Sequence, residues 1–192
     1  TLTATLSVAT TANVTVGIST SGTGTEGTDY STISDITISA GATTGTASFT
    51  PTDDSIFEAN ETGIVDISGV SGADAVENGT QSVTITITND DSAPTVTLST
   101  SATSIAENAG SSLTLTATLT NPTTADVTVG ISTSGTGTEG TDYATISDIT
   151  ITAGSTTGTT SFTPTDDSIY EGDETGIVAI DTVSGGSATE NG

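Results

Sequence analysis

Apolar and polar residues alternate along this chain with a period of two. The clearest case is Val83-Thr84-Ile85-Thr86-Ile87-Thr88, where Val and Ile take one face and Thr the other. That is the signature of a half-buried strand, with the apolar face inward. The same alternation predicts strands over Val96–Ser99, Leu113–Leu119, Val127–Ile131, Ile149–Thr152, Thr159–Phe162 and Gly176–Ile180. Gly, Asp, Asn and Ser separate them and supply the turns. No stretch carries a convincing helical period. About seven short strands per domain with such spacing predict an all-β chain of two-sheet sandwiches.

An internal repeat sets the domain count. At an offset of 113, residues 1–79 align without a gap on residues 114–192, and 62 of the 79 pairs are identical. The period is too long for a solenoid unit and suits one sandwich per repeat. Residues 80–113 occur once and hold the end of one domain, a linker and the start of the next. Ser92-Ala93-Pro94 is the expected boundary, because it is short and polar and its Pro cannot continue a ladder. Domain 1 is then 1–92, lacking its first strands, and domain 2 is 93–192, lacking its last. Strand donation between chains explains such ends only if a spare strand exists, and none remains once each domain has its set. A window on a longer array is the expected origin. The missing initiator Met and signal peptide, and an opening inside the strand-like Thr1-Leu2-Thr3-Ala4-Thr5-Leu6, agree with it.

Composition then removes whole classes of chemistry. The 192 residues include no Lys, Arg, His or Cys, and 24 Asp plus Glu give a net charge of -24. Without Lys or Arg nothing neutralises phosphates, so nucleic acid is not an expected partner. Without His or Cys there is no Ser-His-Asp triad, no thiolate nucleophile and no zinc site of the usual kind. No run of 18 apolar residues exists, so no membrane insertion is expected. Paired carboxylates could serve a glycosidase, but three Tyr, three Phe and no Trp cannot line a sugar cleft. The chain is not expected to be an enzyme. Carboxylates, hydroxyls and carbonyls are the ligand set of hard cations, above all calcium. With no internal counter-charge, a compact fold should need metal or high salt.

The acids are clustered. The second repeat has Ser104-Ile105-Ala106-Glu107-Asn108, Gly140-Thr141-Asp142-Tyr143 and Asp166-Asp167-Ser168-Ile169-Tyr170-Glu171-Gly172-Asp173-Glu174. The first has Gly27-Thr28-Asp29-Tyr30, Asp53-Asp54-Ser55-Ile56-Phe57-Glu58-Ala59-Asn60-Glu61 and, closing its last strand, Asn89-Asp90-Asp91. Each cluster lies at a predicted strand end or turn, so distant segments can converge on one pole of a sandwich. Carboxylates meeting there are destabilising unless a cation sits among them. The order D-D-x-x-x-E is not an EF-hand, lacking its spacing and central Gly. Glu26, Asp35, Asp66, Asp74, Glu77 and their second-repeat equivalents are read as solvated surface. Tyr30 and Tyr143 are expected to pack at the sandwich end, and Phe49 and Phe162 in the core.

SIAEN, GTEGTDY, ITITAGSTTGTTSFTPTDDSIYEGDET and the closing VTITITNDD together resemble the Calx-beta domain family over essentially the whole chain. The resemblance implies Ig-like sandwiches whose calcium-binding members gather ions at the pole near the junction with the next domain. By position, the implied ligands of domain 2 are Glu107, Asp142, Asp166, Asp167, Glu171 and Glu174. Those of domain 1 are Asp29, Asp53, Asp54, Glu58, Glu61, Asp90 and Asp91.

The expectation is a calcium-binding structural repeat of a secreted, extracellular or cell-surface fibre protein, with calcium ordering the pole loops and stiffening the linker. Its partners would be neighbouring repeats of the same chain and other copies in a fibre. An adhesin module for a glycan or protein, or a calcium sensor, is the alternative. Near identity of the repeats favours the shaft, since recognition modules usually diverge from their neighbours.

Overall fold

The computed structural model describes residues 1–191. The chain divides into two units: Thr1–Asp54 with Ala59–Asn89, and Ser55–Glu58 with Asp90 onward. Unit 1 contains β1 (Leu2–Thr5), β2 (Val14–Gly22), β3 (Ile36–Ile38), β4 (Thr44–Ala47), β5 (Glu61–Ser71) and β6 (Ser82–Ile87). They form a sheet ordered β3-β2-β5-β6 and a two-stranded sheet β1-β4. Unit 2 contains β7 (Thr95–Thr100), β8 (Leu113–Leu119), β9 (Val127–Gly135), β10 (Ile149–Ile151), β11 (Thr157–Phe162), β12 (Gly176–Ser184) and β13 (Thr189–Glu190). Its sheets are ordered β10-β9-β12 and β11-β8-β7-β13. A single 3-10 turn, Glu107–Ala109, follows β7 among the described residues.

Each core lies between two sheets, which makes each unit a sandwich. In unit 2, Val96, Ala117 and Leu119 of one sheet meet Val127, Val129, Ile149 and Ile151 of the other. In unit 1, Val14, Val16, Ile36 and Ile38 are covered by Leu2, Ala4 and Ala47. Alternation decided these faces: β8 reads buried at Leu115, Ala117 and Leu119, with less buried threonines between them. At one end of each core an aromatic pair stacks, Tyr30 on Phe49 at 4.6 Å and Tyr143 on Phe162 at 4.7 Å. Tyr30 and Tyr143 are buried there, whereas Phe49 and Phe162, expected in the core, are partly buried against them. Gly176 is what admits the second pair, because a Cβ there would stand 2.7 Å from the Phe162 ring.

Three features depart from the alternation pattern. Val83 is 51% exposed although assigned inward. It lies on the edge strand β6, and only Ile85 and Ile87 of that strand reach the Tyr30, Ile33 and Val65 cluster. The strand predicted to end at Ile180 continues to Ser184 through a bulge between Ile180 and Thr182. Finally, β13 pairs in parallel with β7, Thr189 opposite Thr95, where all other named strand pairs run antiparallel.

Pro94 is buried within unit 2, and its carbonyl accepts the Thr189 N–H at 3.1 Å. The Ser92 carbonyl accepts Asn121 Nδ2 at 2.8 Å.

Candidate metal centre

The centre of unit 2 is built outward from the buried ring of Tyr143. Backbone pairing of Tyr143 with Pro164, and the Ala144 N–H to Thr163 carbonyl bond at 2.9 Å, tie the β9–β10 loop to the exit of β11. Asp142 is thereby fixed at the rim. Its Oδ2 accepts the Thr138 N–H at 2.6 Å, and its carbonyl accepts the Thr165 N–H at 2.9 Å. Glu139 clamps the same loop, its Oε2 accepting the Thr133 hydroxyl at 2.6 Å and its Oε1 the Ile146 N–H at 2.8 Å.

The second wall is the segment from β11 to β12. Gly135 closes β9 at φ +122°, where a Cβ would stand 2.1 Å from the Thr175 carbonyl oxygen, so only Gly permits that approach. Thr136 and Thr175 then exchange bonds: the Thr175 N–H donates to Thr136 Oγ1 at 2.9 Å, and the Thr136 N–H to Thr175 Oγ1 at 3.2 Å. This brings Glu174 over Gly137. Carboxylate oxygens of Asp142, Glu171 and Glu174 lie within 4.8 Å of one another. Calcium takes 6–8 oxygens at about 2.3–2.6 Å, so two ligands of one ion stand no more than about 4.6–5.2 Å apart. The three carboxylates fit that span, and all three are oxygen donors.

Two more predicted ligands adjoin them. Glu107, on the 3-10 turn, accepts the Asp167 N–H at 3.2 Å, and Asp167 Oδ1 accepts the Ile169 N–H at 2.6 Å. Shielding from water raises the pKa of Glu171, followed by the charges of Asp142, Glu174, Asp167 and Glu107. Glu174 is also raised, by shielding, by the Asp142 charge and a hydrogen bond with that carboxyl, and by Glu107. Five carboxylates therefore repel one another here, and no cationic side chain exists in the sequence to relieve them. Asp166 lines a depression beside Glu107, Ser112 and Thr163, outside the trio of converging carboxylates.

Unit 1 repeats part of this arrangement. Asp29 and Glu61 bring carboxylate oxygens within 4.8 Å, and Asp29 Oδ2 accepts the Thr25 N–H at 2.6 Å. Glu58 lies on the Ser55–Glu58 segment that folds with unit 2, and Asp90 and Asp91 open the main stretch of unit 2. Asp53 and Asp54 close the first stretch of unit 1. None of Asp53, Asp54, Asp90 and Asp91 joins a three-carboxylate group among the described residues.

Several acids read as solvated surface have structural duties instead. Glu26 accepts the Thr20 hydroxyl at 2.6 Å and the Ile33 N–H at 2.7 Å, matching Glu139. Asp35 and Asp148 accept the N–H of Ile18 and Ile131 at 3.0 Å, beside the bulges. Glu77 accepts the Gln81 N–H at 2.9 Å. Recurrence was the available signal, since Glu26, Asp35 and Glu77 are repeated as Glu139, Asp148 and Glu190, whereas Asp66 and Asp74 become Ala179 and Ser187.

The hydroxyl and amide donors hold Glu26 and Glu139 below the ordinary carboxyl value of 4.5, the hydroxyls contributing most. A depressed folded pKa contributes stability that is full above the unfolded value and is lost as pH falls through the folded one. The stability these two groups add should therefore be lost below pH 4.5, read with chelator from pH 7 to pH 3 as the melting difference between the parent and a glutamine variant. The paired Glu26→Gln and Glu139→Gln variant should melt lower at pH 7, and the gap to the parent should narrow below pH 4.5. Equal acid limbs in both proteins would refute the clamp.

A β-sandwich whose carboxylates meet at one pole defines a class of acidic, oxygen-donor modules. The Calx-beta domain model matches residues 2–91 and again 89–191, so the chain belongs to the Calx-beta domain family in two tandem copies. Among solved structures, the crystal structure of CBD12 from CALX1.2 is similar at 19% identity and a TM-score of 0.41, over 85% of this chain and 66% of that one. The calcium binding domain CBD12 of CALX1.1 is similar at 19% identity and a TM-score of 0.36, over 82% of this chain and 65% of that one. The chain thus spans just under two thirds of the length of these structures. No curated protein matches the chain.

Proposed function

We propose that this chain is a calcium-binding structural repeat of an extracellular fibre or cell-surface protein. One observation carries the reading: Asp142, Glu171 and Glu174 converge within 4.8 Å in a chain with no positive side chain to offset them. A divalent cation supplies the missing charge and completes its shell with water and nearby oxygens. Asp142, Glu171 and Glu174 hold it, with Glu107 and Asp167 beside them. Membership in a family with calcium-binding members supports the same ion. The bound ion does no chemistry on a substrate. It fixes the pole loops and stiffens the junctions between repeats, so that a string of domains behaves as a shaft.

The near identity of the two repeats supports a shaft over an adhesin or a sensor. Secretion accords with a calcium-rich medium, and a chain without Lys or Arg offers trypsin-like proteases no cleavage site. The partners are then neighbouring repeats and further copies in a fibre. Calorimetric calcium titration and small-angle scattering of the chelated and calcium-loaded protein test the reading. Saturable binding with a longer particle is expected. An absence of binding heat at millimolar calcium, with unchanged dimensions, would sink it.

A further inference from the structure

The chain has seven asparagines, and the fold treats them differently. An asparagine becomes an acid when the backbone nitrogen of the next residue attacks its Cγ. The attack needs a following N–H that is not engaged and a slack, uncrowded backbone, which glycine supplies best. Five of the seven are denied it. Asn121 precedes Pro122, which has no N–H. After Asn108, the Ala109 N–H is tied to the Ala106 carbonyl at 3.0 Å. Asn13 Oδ1 accepts the Ala40 N–H at 2.9 Å, and the next residue is the branched, buried Val14. Asn60 Oδ1 accepts the Asn89 N–H at 3.0 Å, and Glu61 already opens β5. Asn89 itself is followed by the larger, charged Asp90.

Asn78-Gly79 meets every requirement. It lies in the loop between β5 and β6, and both residues are exposed. Gly79 stands at φ +68°, and a Cβ there would have nothing within 4 Å. Among the described residues no hydrogen bond holds the Asn78 amide group or the Gly79 N–H. The loop is kept in shape around them instead: Glu77 Oε1 accepts the Gln81 N–H at 2.9 Å, and the Asn78 carbonyl accepts Gln81 Nε2 at 2.8 Å. The second repeat supplies a check on the exposure. Asn191, the equivalent of Asn78, has β7 beside it and donates its N–H to the Val96 carbonyl at 3.0 Å, yet it too is exposed. A strand in that place therefore leaves the side chain open.

We propose that Asn78 converts itself to aspartate and isoaspartate through a cyclic imide with Gly79. The Gly79 nitrogen, on losing its proton, bonds to Asn78 Cγ, and Nδ2 leaves as ammonia. Water then opens the ring at either carbonyl, so one water is consumed for each ammonia released. Opening at Cγ gives aspartate. Opening at the main-chain carbonyl gives isoaspartate, with the backbone now running through the side chain, between the two bonds that Gln81 makes. Either product adds a negative charge next to Glu77, in a chain with no cationic side chain to offset it. Strand β5 runs from Glu61, whose carboxylate lies within 4.8 Å of that of Asp29, to Ser71. The new charge thus arises at the far end of β5, out of reach of a cation held by those two acids. The inference goes beyond the calcium reading and does not rest on it, because neither Asn78 nor Gly79 is a metal ligand.

The folded protein is held at 37 °C from pH 6 to pH 9, beside a sample in denaturant. Peptides spanning residue 78, cut with pepsin in acid, are sequenced by fragmentation that separates aspartate from isoaspartate. First-order conversion at residue 78, faster at higher pH and giving both products, is expected. The folded protein should react no more than tenfold slower than the denatured one. Within the folded sample Asn13, Asn60, Asn89, Asn108 and Asn121 should each convert at least tenfold more slowly than Asn78. Gly79→Ala should slow residue 78 at least tenfold in denaturant, where its effect on folding does not matter. Conversion to aspartate alone, or a rate indifferent to Gly79→Ala, would overturn the cyclic imide. A residue 78 that reacts only in denaturant, or no faster than the other five in the folded chain, would overturn the proposal as a property of this fold.

Discussion

Calcium added to the chelated protein should raise its melting temperature by about 10–20 °C. A ligand that binds only the folded state at a hundred times its Kd stabilises it by about 2.7 kcal/mol. For a domain of this size each kcal/mol moves the midpoint by about 4–8 °C. The carboxylates of Asp142, Glu171 and Glu174 lie within 4.8 Å of one another, so an ion there meets three anionic ligands without large loop movement. The paired Asp142→Asn and Glu174→Gln variant should lose most of the response of unit 2. It should also melt above the parent when both are chelated, because it removes two of the charges that repel one another at the rim. Asp166→Ala with Asp167→Ala should weaken the response less, since neither residue is among the three carboxylates that converge. Thermal scans with chelator, with calcium and with 1 M sodium chloride separate ion binding from screening. A parent whose midpoint ignores calcium but follows salt would reduce the carboxylates to a charged surface.

Tyr143→Ala should be the most damaging single substitution in unit 2. The ring is 3% exposed, stacks on Phe162 at 4.7 Å and packs with Leu115 and Ile146. Removing a buried aromatic costs about 3–5 kcal/mol, a large share of the 5–15 kcal/mol that holds a typical domain. At about 4–8 °C per kcal/mol the midpoint should fall by 12 °C or more. The same ring anchors the loop that carries Asp142, so calcium should recover less of the lost stability than in the parent. Tyr143→Phe keeps the ring and should keep the calcium response. Differential scanning calorimetry should show one transition moved and the other, from unit 1 with its own Tyr30, left in place. A Tyr143→Ala protein with the parent's melting profile would refute the anchor.

Much of this architecture was written in the alternation itself. Val127, Val129, Ile149 and Ile151 were assigned inward by period alone, and all four are 0% exposed. What the pattern missed lies where backbone geometry outweighs side-chain pattern. A two-residue parallel strand, Thr189–Glu190, has no apolar alternation to read. The bulge at Asp181 exists because β9 and β12 fall out of step by one residue, which no local preference of Ile180 or Thr182 encodes. Of the candidate ligands, Asp142, Glu171 and Glu174 were found by clustering and resemblance, and three carboxylates do meet there. Glu139 was misjudged because a carboxylate that accepts from a hydroxyl and an amide has the same letter as one facing water.

The pairing of β1 with β4 and of β8 with β11 also bears on how the chain reaches this state. Leu2↔Ala47 through Thr5↔Thr44 in one unit correspond to Leu115↔Thr160 through Thr118↔Thr157 in the other. The strand sequences Leu2–Thr5 and Leu115–Thr118 are identical, so β4 meets two equally good partners in an unfolded chain. The wrong choice closes a loop roughly twice as long, and a doubling costs only about 0.6 kcal/mol of closure entropy. Native contacts alone therefore discriminate weakly between the correct partner strand and its twin. Order of synthesis breaks the tie: unit 1 can complete its pairing while the rival strand has not yet been made. A chain refolded whole from denaturant has no such protection and should pass through swapped, kinetically trapped species.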